Sequence, residues 1–253
     1  MHRTNSAFRL AASLALALFL GGEARADDTL TRIDGGTLSG QVTGVRDGQV
    51  QIKVGEGALA LPLTQVKSVD MAAPAALAEA KDPATKPERV IAITTPLVAA
   101  YEGLPAPWVI EAMSLQGNAY AALDQLDKSN ATFAELKKLY GESASAGASA
   151  LPAKIGLARN ALKQGHNDEA AALLQPVIEA ARGTLAHSPA ENAALGGAFL
   201  LYGQVLEAKG DAVGALNAYL TTTALFNRNE AAVAEAKTRA DALRAAHPGL
   251  TIL

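Results

Sequence analysis

Cysteine is absent from this 253-residue chain, and aromatic residues make up only 4% of it. Without cysteine the chain has no disulfide bond, no thiolate nucleophile and no lipid attached to an N-terminal cysteine. The scarcity of aromatic side chains argues against a deep ligand cavity with aromatic walls. Phosphate-binding loops, serine-nucleophile elbows and paired-histidine zinc motifs are also missing. We therefore expect no catalytic residues, no cofactor and no metal ion.

The net charge is weakly negative, with 22 Lys and Arg against 25 Asp and Glu. Basic residues outnumber acidic ones within the first 26 positions, so the rest of the chain is more acidic than the whole. Nucleic acids and anionic membranes attract basic surfaces. We therefore expect neither of them as a partner.

Residues 1–26 have the pattern of a secretory signal peptide. A basic start is followed by an uncharged apolar run and a small-x-small cleavage motif, carried by His2, Arg3, Arg9, Leu10–Leu20 and Ala24–Ala26. The apolar run would form a helix of about 16 Å, too short for a bilayer core of about 30 Å. We expect cleavage before Asp27 and export, to the periplasm if the source is bacterial, with no stable membrane span; a retained N-terminal anchor is the alternative.

Residues 27–70 alternate apolar and polar positions between glycine-containing turns such as Asp47-Gly48. This pattern predicts four or five short strands in a small antiparallel sheet. The segment DGGTLSGQVTGVRDGQVQIKV resembles Sm-like and SH3-like β-barrels, and an Sm-like barrel implies RNA binding as an alternative function. Asp47 matches the acidic residue of the Sm pattern, but Gln51 replaces the expected Asn. The acidic balance and the lack of an aromatic residue favour a structural or protein-docking role.

Three later segments repeat one arrangement of small and bulky residues around a turn. The matching positions are Gly117, Tyr120, Ser129 and Phe133 in the first copy, Ala158, Ala161, Ala170 and Leu174 in the second, and Gly203, Leu206, Ala215 and Tyr219 in the third. Two helices that cross need a small side chain at the contact and a bulky one beside it. Each copy is therefore predicted to be a helix pair that packs on its neighbours.

The copies resemble tetratricopeptide (TPR) repeats over residues 110–142, 151–184 and 196–229. They depart from that family at Ser129, where Ala is usual, and they begin 41 and then 45 residues apart instead of about 34. The resemblance implies a mainly α protein, a TPR-like solenoid preceded by the β-barrel-like domain. The expected parts are a signal peptide (1–26), a β domain (27–70), a linker (71–84) and a helical domain (85–253) divided into 85–104, 105–143, 151–184, 188–229 and a terminal capping helix, 230–247.

Other segments contain residues that predict helix starts, a packing contact and a turn. The linker can hold a short helix around Pro74–Lys81, and Thr85 with Glu88 predicts a capping box before a decayed repeat or cap. Ser188 with Glu191 predicts a second capping box, and Asp211 is expected to cap the helix that follows it. The single tryptophan, Trp108, is expected to pack the first copy on the preceding helix. At His166–Glu169 a metal site is the alternative to a helix turn capped by Asn167, and the turn is favoured because acids suit a helix N-terminus.

A TPR-like array implies a concave groove, formed by the first helix of each pair, that binds another polypeptide. The positions that would face it are Glu111, Ser114, Asn118, Ala121, Ile155, Arg159, Leu162, Lys163, Leu200, Gln204 and Glu207. Arg159 and Lys163 lie four residues apart, so they either receive an acidic group from a partner or form a solvated stripe. We expect a non-enzymatic adaptor; a role in envelope assembly or division rests on analogy with exported bacterial TPR proteins alone.

Overall fold

The structure, a computed structural model, describes residues 27–141, 150–184 and 187–249. The predicted signal peptide lies outside the described residues. Five strands come first: β1 (Asp28–Arg32), β2 (Thr37–Arg46), β3 (Gln49–Val54), β4 (Gly57–Pro62) and β5 (Val66–Asp70). Helices follow: α1 (Ala76–Lys81), α2 (Pro87–Tyr101), α3 (Pro107–Ala122), α4 (Leu126–Tyr140), α5 (Ala150–Lys163), α6 (Asn167–Arg182), α7 (Pro189–Ala208), α8 (Ala212–Ala224) and α9 (Glu230–Ala246). The prediction of a mainly helical chain after a small antiparallel sheet is confirmed.

The five strands form one antiparallel sheet in the order β4-β3-β2-β1-β5. Asp47 and Gly48 both have left-handed backbones, with φ of 51° and 71°, as a two-residue hairpin turn between β2 and β3 requires. Alternate residues such as Val42, Val50 and Ile52 are buried on one face. A bulge interrupts β2 between Val42 and Gly44, and Gly44 lies against the carbonyl of Ala100 in α2.

The sheet and the first helices share one hydrophobic core. Leu30 and Ile52 of the sheet belong to the same buried cluster as Leu77 of α1, Val90 of α2 and Trp108 of α3. The segment predicted as a linker therefore does more than connect, because its short helix α1 buries Leu77 and Ala80 in this core. Trp108 is buried edge-on against Tyr101 of α2 at 5.0 Å, which confirms its predicted packing role.

Consecutive helices pack on one another from α1 to α9, and α3, α5, α7 and α9 also contact each other in that order. Small residues lie at several of these contacts. A methyl group at Gly117 of α3 would come within 2.7 Å of the Phe133 ring in α4, and one at Gly203 of α7 would overlap Tyr219 of α8. Ser129, Ala158, Ala170, Leu174 and Ala215 are fully buried, whereas Tyr120 is partly exposed beneath the Lys128 ammonium.

The first residues of the helices show which capping predictions are correct. Ser188 and Glu191 form the expected capping box of α7, and Asp211 and Asn229 cap α8 and α9 with their side chains. The capping box predicted at Thr85 and Glu88 is wrong. Lys86 precedes α2 without a side-chain cap, because the Thr85 hydroxyl donates instead to the carbonyl of Glu79 at 2.6 Å. Asn167 is likewise the first residue of α6 and does not cap it.

Candidate functional site

The face built by α3, α5, α7 and α9, hereafter the odd-helix face, contains a cleft of about 170 Å³. Helices α3, α5 and α7 line the cleft, together with the residue that directly precedes α9. The lining residues are Asn118 of α3, Pro152, Ile155, Gly156 and Arg159 of α5, Ala193, Ala194 and Gly197 of α7, and Asn229 before α9. The cleft therefore combines an apolar floor with two amides and one guanidinium.

The floor is formed by residues with little or no side chain. Gly156 lies against the same Phe133 ring that contacts Gly117, so α3 and α5 both approach α4 closely. Gly197 faces the amide nitrogen of Asn229, which a methyl group would reach only at 3.8 Å. Gly156 is buried with its Cα against the ring, whereas Gly197 is partly exposed, so the open backbone of the floor lies on α7.

Of the side chains that the structure describes, Arg159 is the one cation that lines the cleft. Its Nη1 donates to Oδ1 of Asn118 at 2.7 Å, and Asn118 is neutral. Burial lowers the pKa of the Arg159 guanidinium, and no nearby charge shifts it. Among the described residues no carboxylate pairs with Arg159, so its positive charge remains uncompensated inside a partly buried cleft.

Asn229 contributes an amide from the next helix along the chain. Its Oδ1 accepts the backbone N–H of Ala232 as the N-cap of α9. This bond fixes the side chain, so its Nδ2 points away from the cap toward Gly197. The cleft thus has a fixed hydrogen-bond donor on Asn229 in addition to Arg159.

Lys163, which the sequence places with Arg159 either to receive an acidic group or in a solvated stripe, has a different role. Its ammonium donates to the carbonyl of Ala121 at 2.8 Å and to Asp124 at 3.2 Å, at the end of α3. It therefore holds α3 and α5 together and compensates the negative end of α3. The two residues therefore differ: Lys163 pairs with Asp124, whereas Arg159 has no acidic partner in the described part of the chain.

The remaining predicted groove residues are distributed along the same face. Asn118 and Ile155 line the cleft with Arg159, while Ser114 donates to its own helix and Ala121 is buried. Three others bridge neighbouring odd-numbered helices: Glu111 pairs with Lys81 at 2.8 Å, Gln204 donates to Glu235 at 2.7 Å, and Glu207 accepts from Arg239 at 3.3 Å. Leu162 and Leu200 are partly buried.

The sequence pattern missed the residues that complete the cleft, namely Pro152, Gly156, Ala193, Ala194, Gly197 and Asn229. Gly156, Ala193 and Gly197 could have been found from their spacing, because small residues at close helical intervals indicate close backbone approach. Asn229 could not, since its position depends on where α9 crosses α7. Its capping role is visible in the sequence, but its place in the cleft is not.

The Sm-like positions lie on the sheet, away from this face. Asp47 is in the β2–β3 turn, and Gln51 on β3 donates to the carbonyl of Gln49 at 3.3 Å. Within the described ranges no group of three His, Asp or Glu side chains is placed to bind a metal ion. His166 lies 3.6 Å from Glu169, within the turn before α6 and its first residues.

Across residues 27–249, apart from the two short gaps, no helix combines the length and apolar character needed to cross a membrane. No protein-family model matches the chain, and no curated protein or solved structure is significantly similar to it. The case for a function therefore depends on the geometry of the odd-helix face.

Proposed function

We propose that the protein is a non-enzymatic, exported adaptor that binds a segment of another protein on the odd-helix face of a TPR-like solenoid. The single observation that carries the proposal is Arg159, a partly buried guanidinium that faces the cleft and lacks an acidic partner among the described residues. A carboxylate of the partner would supply the missing charge, and a guanidinium can bind a carboxylate through two hydrogen bonds.

The lining of the cleft favours a polypeptide over a small ligand. Besides Arg159, its polar groups are the amides of Asn118 and Asn229, whose Nδ2 groups can donate to peptide carbonyls because their Oδ1 atoms already accept hydrogen bonds within the protein. Ala193, Ala194 and Gly197 of α7 are small and partly exposed, so an extended chain can lie close to that helix. Its volume of about 170 Å³ is below the usual range of drug-sized ligand sites. These features support a docked segment with one acidic side chain at Arg159.

The alternating contacts of the helices support the solenoid part of the proposal. Contacts between every second helix, α3 with α5, α5 with α7 and α7 with α9, are expected when helix pairs stack in order. The ion pair of Lys163 with Asp124 and the contacts of Gln204 and Glu207 with α9 join successive pairs. Export rests on the sequence of residues 1–26 alone.

The test is capture of partners from an envelope extract on the immobilised protein, comparing Arg159→Glu with Arg182→Glu. Arg182 is exposed in the last turn of α6, so it offers the same charge change away from the cleft. We expect Arg159→Glu to reduce capture at least tenfold, with unchanged circular dichroism, and Arg182→Glu to leave capture unaltered. Raised salt should weaken the wild-type interaction, because it depends on opposite charges. Equal capture by both variants would contradict the proposal.

A further inference from the structure

Strand β4 forms a free edge of the sheet. Within residues 27–249, as far as the structure describes them, its only strand partner is β3, with Gln51 opposite Ala60 and Ile52 opposite Leu59. The four residues Gly57 to Ala60 are all exposed, and Leu59 keeps 50% of its surface accessible although it lies on the apolar face of the sheet. Free edges with apolar side chains are templates for pairing with another strand.

The outward backbone groups of β4 can be assigned from the hairpin. Val54 and Gly57 close the two-residue turn, and Leu63 donates its N–H to the carbonyl of Gly48 at 2.9 Å. Odd-numbered residues of β4 therefore bond to β3, because backbone groups alternate in direction along a strand. Ala58 and Ala60 direct their N–H and C=O groups away from the sheet, and no hydrogen bond joins those groups to any described part of the chain.

The opposite edge of the sheet, β5, differs from β4 because it carries charged residues and its backbone is bonded to a loop. β5 carries the charged residues Lys67 and Asp70, and Val69 donates its N–H to the carbonyl of Pro105 at 3.0 Å. Charges and covering loops are the usual protection of edge strands. β4, with the sequence GALALP, has no charged residue and no covering loop among the described residues.

We propose that β4 pairs antiparallel with β4 of a second copy of the protein, about a two-fold axis at Leu59. In this register Ala58 of one copy lies opposite Ala60 of the other, so the two pairs form four backbone hydrogen bonds. Pro62, which has no N–H, falls outside the bonded region. The two Leu59 side chains meet on one face and cover the apolar surface that each leaves open alone.

Self-pairing is favoured over pairing with an unrelated strand because the edge is self-complementary. The outward residues are both alanine, so the two copies meet without steric or charge conflict on that face. The Leu59 pair falls at a non-hydrogen-bonded position, where opposite side chains are closest. A closed two-fold interface also leaves no β4 edge free for further growth.

Disulfide trapping tests the register directly, since the chain has no cysteine of its own. In the purified protein, Leu59→Cys places two thiols at the axis with Cα atoms about 4.5 Å apart, within the range that a disulfide spans. Val54→Cys, also partly exposed, is the matched control, because the two copies of residue 54 would lie about 20 Å apart. We expect mild oxidation to crosslink most of the Leu59→Cys protein as a dimer and to leave Val54→Cys uncrosslinked.

The mass in solution provides a second, independent measurement. Ala60→Pro removes one outward N–H and leaves the β3 ladder intact, so light scattering should show the wild-type mass halved. A wild-type monomer, a larger ring, a dimer unchanged by Ala60→Pro, or equal crosslinking of both cysteine variants would each overturn the proposal. Failure here would leave the proposal for the odd-helix face standing, because none of the residues that line its cleft belongs to β4.

Discussion

At the scale of single residues, the sequence predicted which small side chains meet which rings within a helix pair but not between pairs. The fixed spacing of Gly117 from Phe133 follows from two helices joined by a short turn, so it can be read along the chain. The Phe133 ring also contacts Gly156, which belongs to the next helix pair. The residue spacing within one helix pair cannot predict that contact, because the contact depends on how successive pairs stack.

Two glycines of α7 provide a matched stability test. Alanine at Gly203 would overlap the buried Tyr219 ring, so we expect Gly203→Ala to lower the free energy of unfolding by about 1–3 kcal/mol. Alanine at Gly197 meets nothing closer than 3.8 Å, and the better helix former should raise that free energy by about 0.5–1 kcal/mol. Urea unfolding of both variants measures the two values. A loss of the same size at Gly197 would show that the ring contact is not the cause.

At the scale of elements, the sequence predicted the start of a helix well where the capping residues bond only to each other. Ser188 and Glu191 are three residues apart and satisfy each other. Thr85 and Glu88 have the same spacing, but the Thr85 hydroxyl bonds to Glu79, whose carboxylate receives two hydrogen bonds from Arg89. A contact with the preceding helix therefore replaced the cap. The strands were predicted for a similar reason, since their Asp-Gly turns are local signals.

The capping box of α7 should make a measurable contribution to stability. Ser188→Ala leaves the N–H of Glu191 without its acceptor, and we expect a loss of about 1 kcal/mol in the free energy of unfolding. His166→Ala is the control, because His166 occupies the same position before α6 without a capping hydrogen bond. Chemical denaturation should show a clear shift of the midpoint for the first variant and little for the second. Equal shifts would refute a specific role for the cap.

At the scale of the whole molecule, the sequence separated a β domain from a helical domain by a linker. Composition supports that division, but burial does not, because α1 inserts Leu77 into a core shared by the sheet and the first helices. The Ala/Pro-rich composition of residues 71–84 indicated a linker and gave no sign of this contact. Only Leu77 and Ala80 of that segment are buried, too few for a periodic signal.

The shared core predicts coupled stability. Leu77→Ala should cost about 2–5 kcal/mol and should speed hydrogen exchange in both β1 and α2, since Leu30 and Val90 belong to the same cluster. Leu174→Ala, buried in the separate cluster of α5, α6 and α7, is the control of matched size. It should leave exchange in the sheet nearly unchanged. Protection lost in α2 alone, with the sheet unaffected, would favour two independent units.

The central claim is that the cleft on the odd-helix face holds a segment of another protein. The most direct measurement is photo-crosslinking in intact cells from a probe at Ala194, which lines the cleft, with Ala172 on the exposed side of α6 as control. We predict one discrete adduct from Ala194 that disappears in the Arg159→Glu background, and none from Ala172. Adducts of equal yield from both positions, or an Ala194 adduct that persists with Arg159→Glu, would contradict the account.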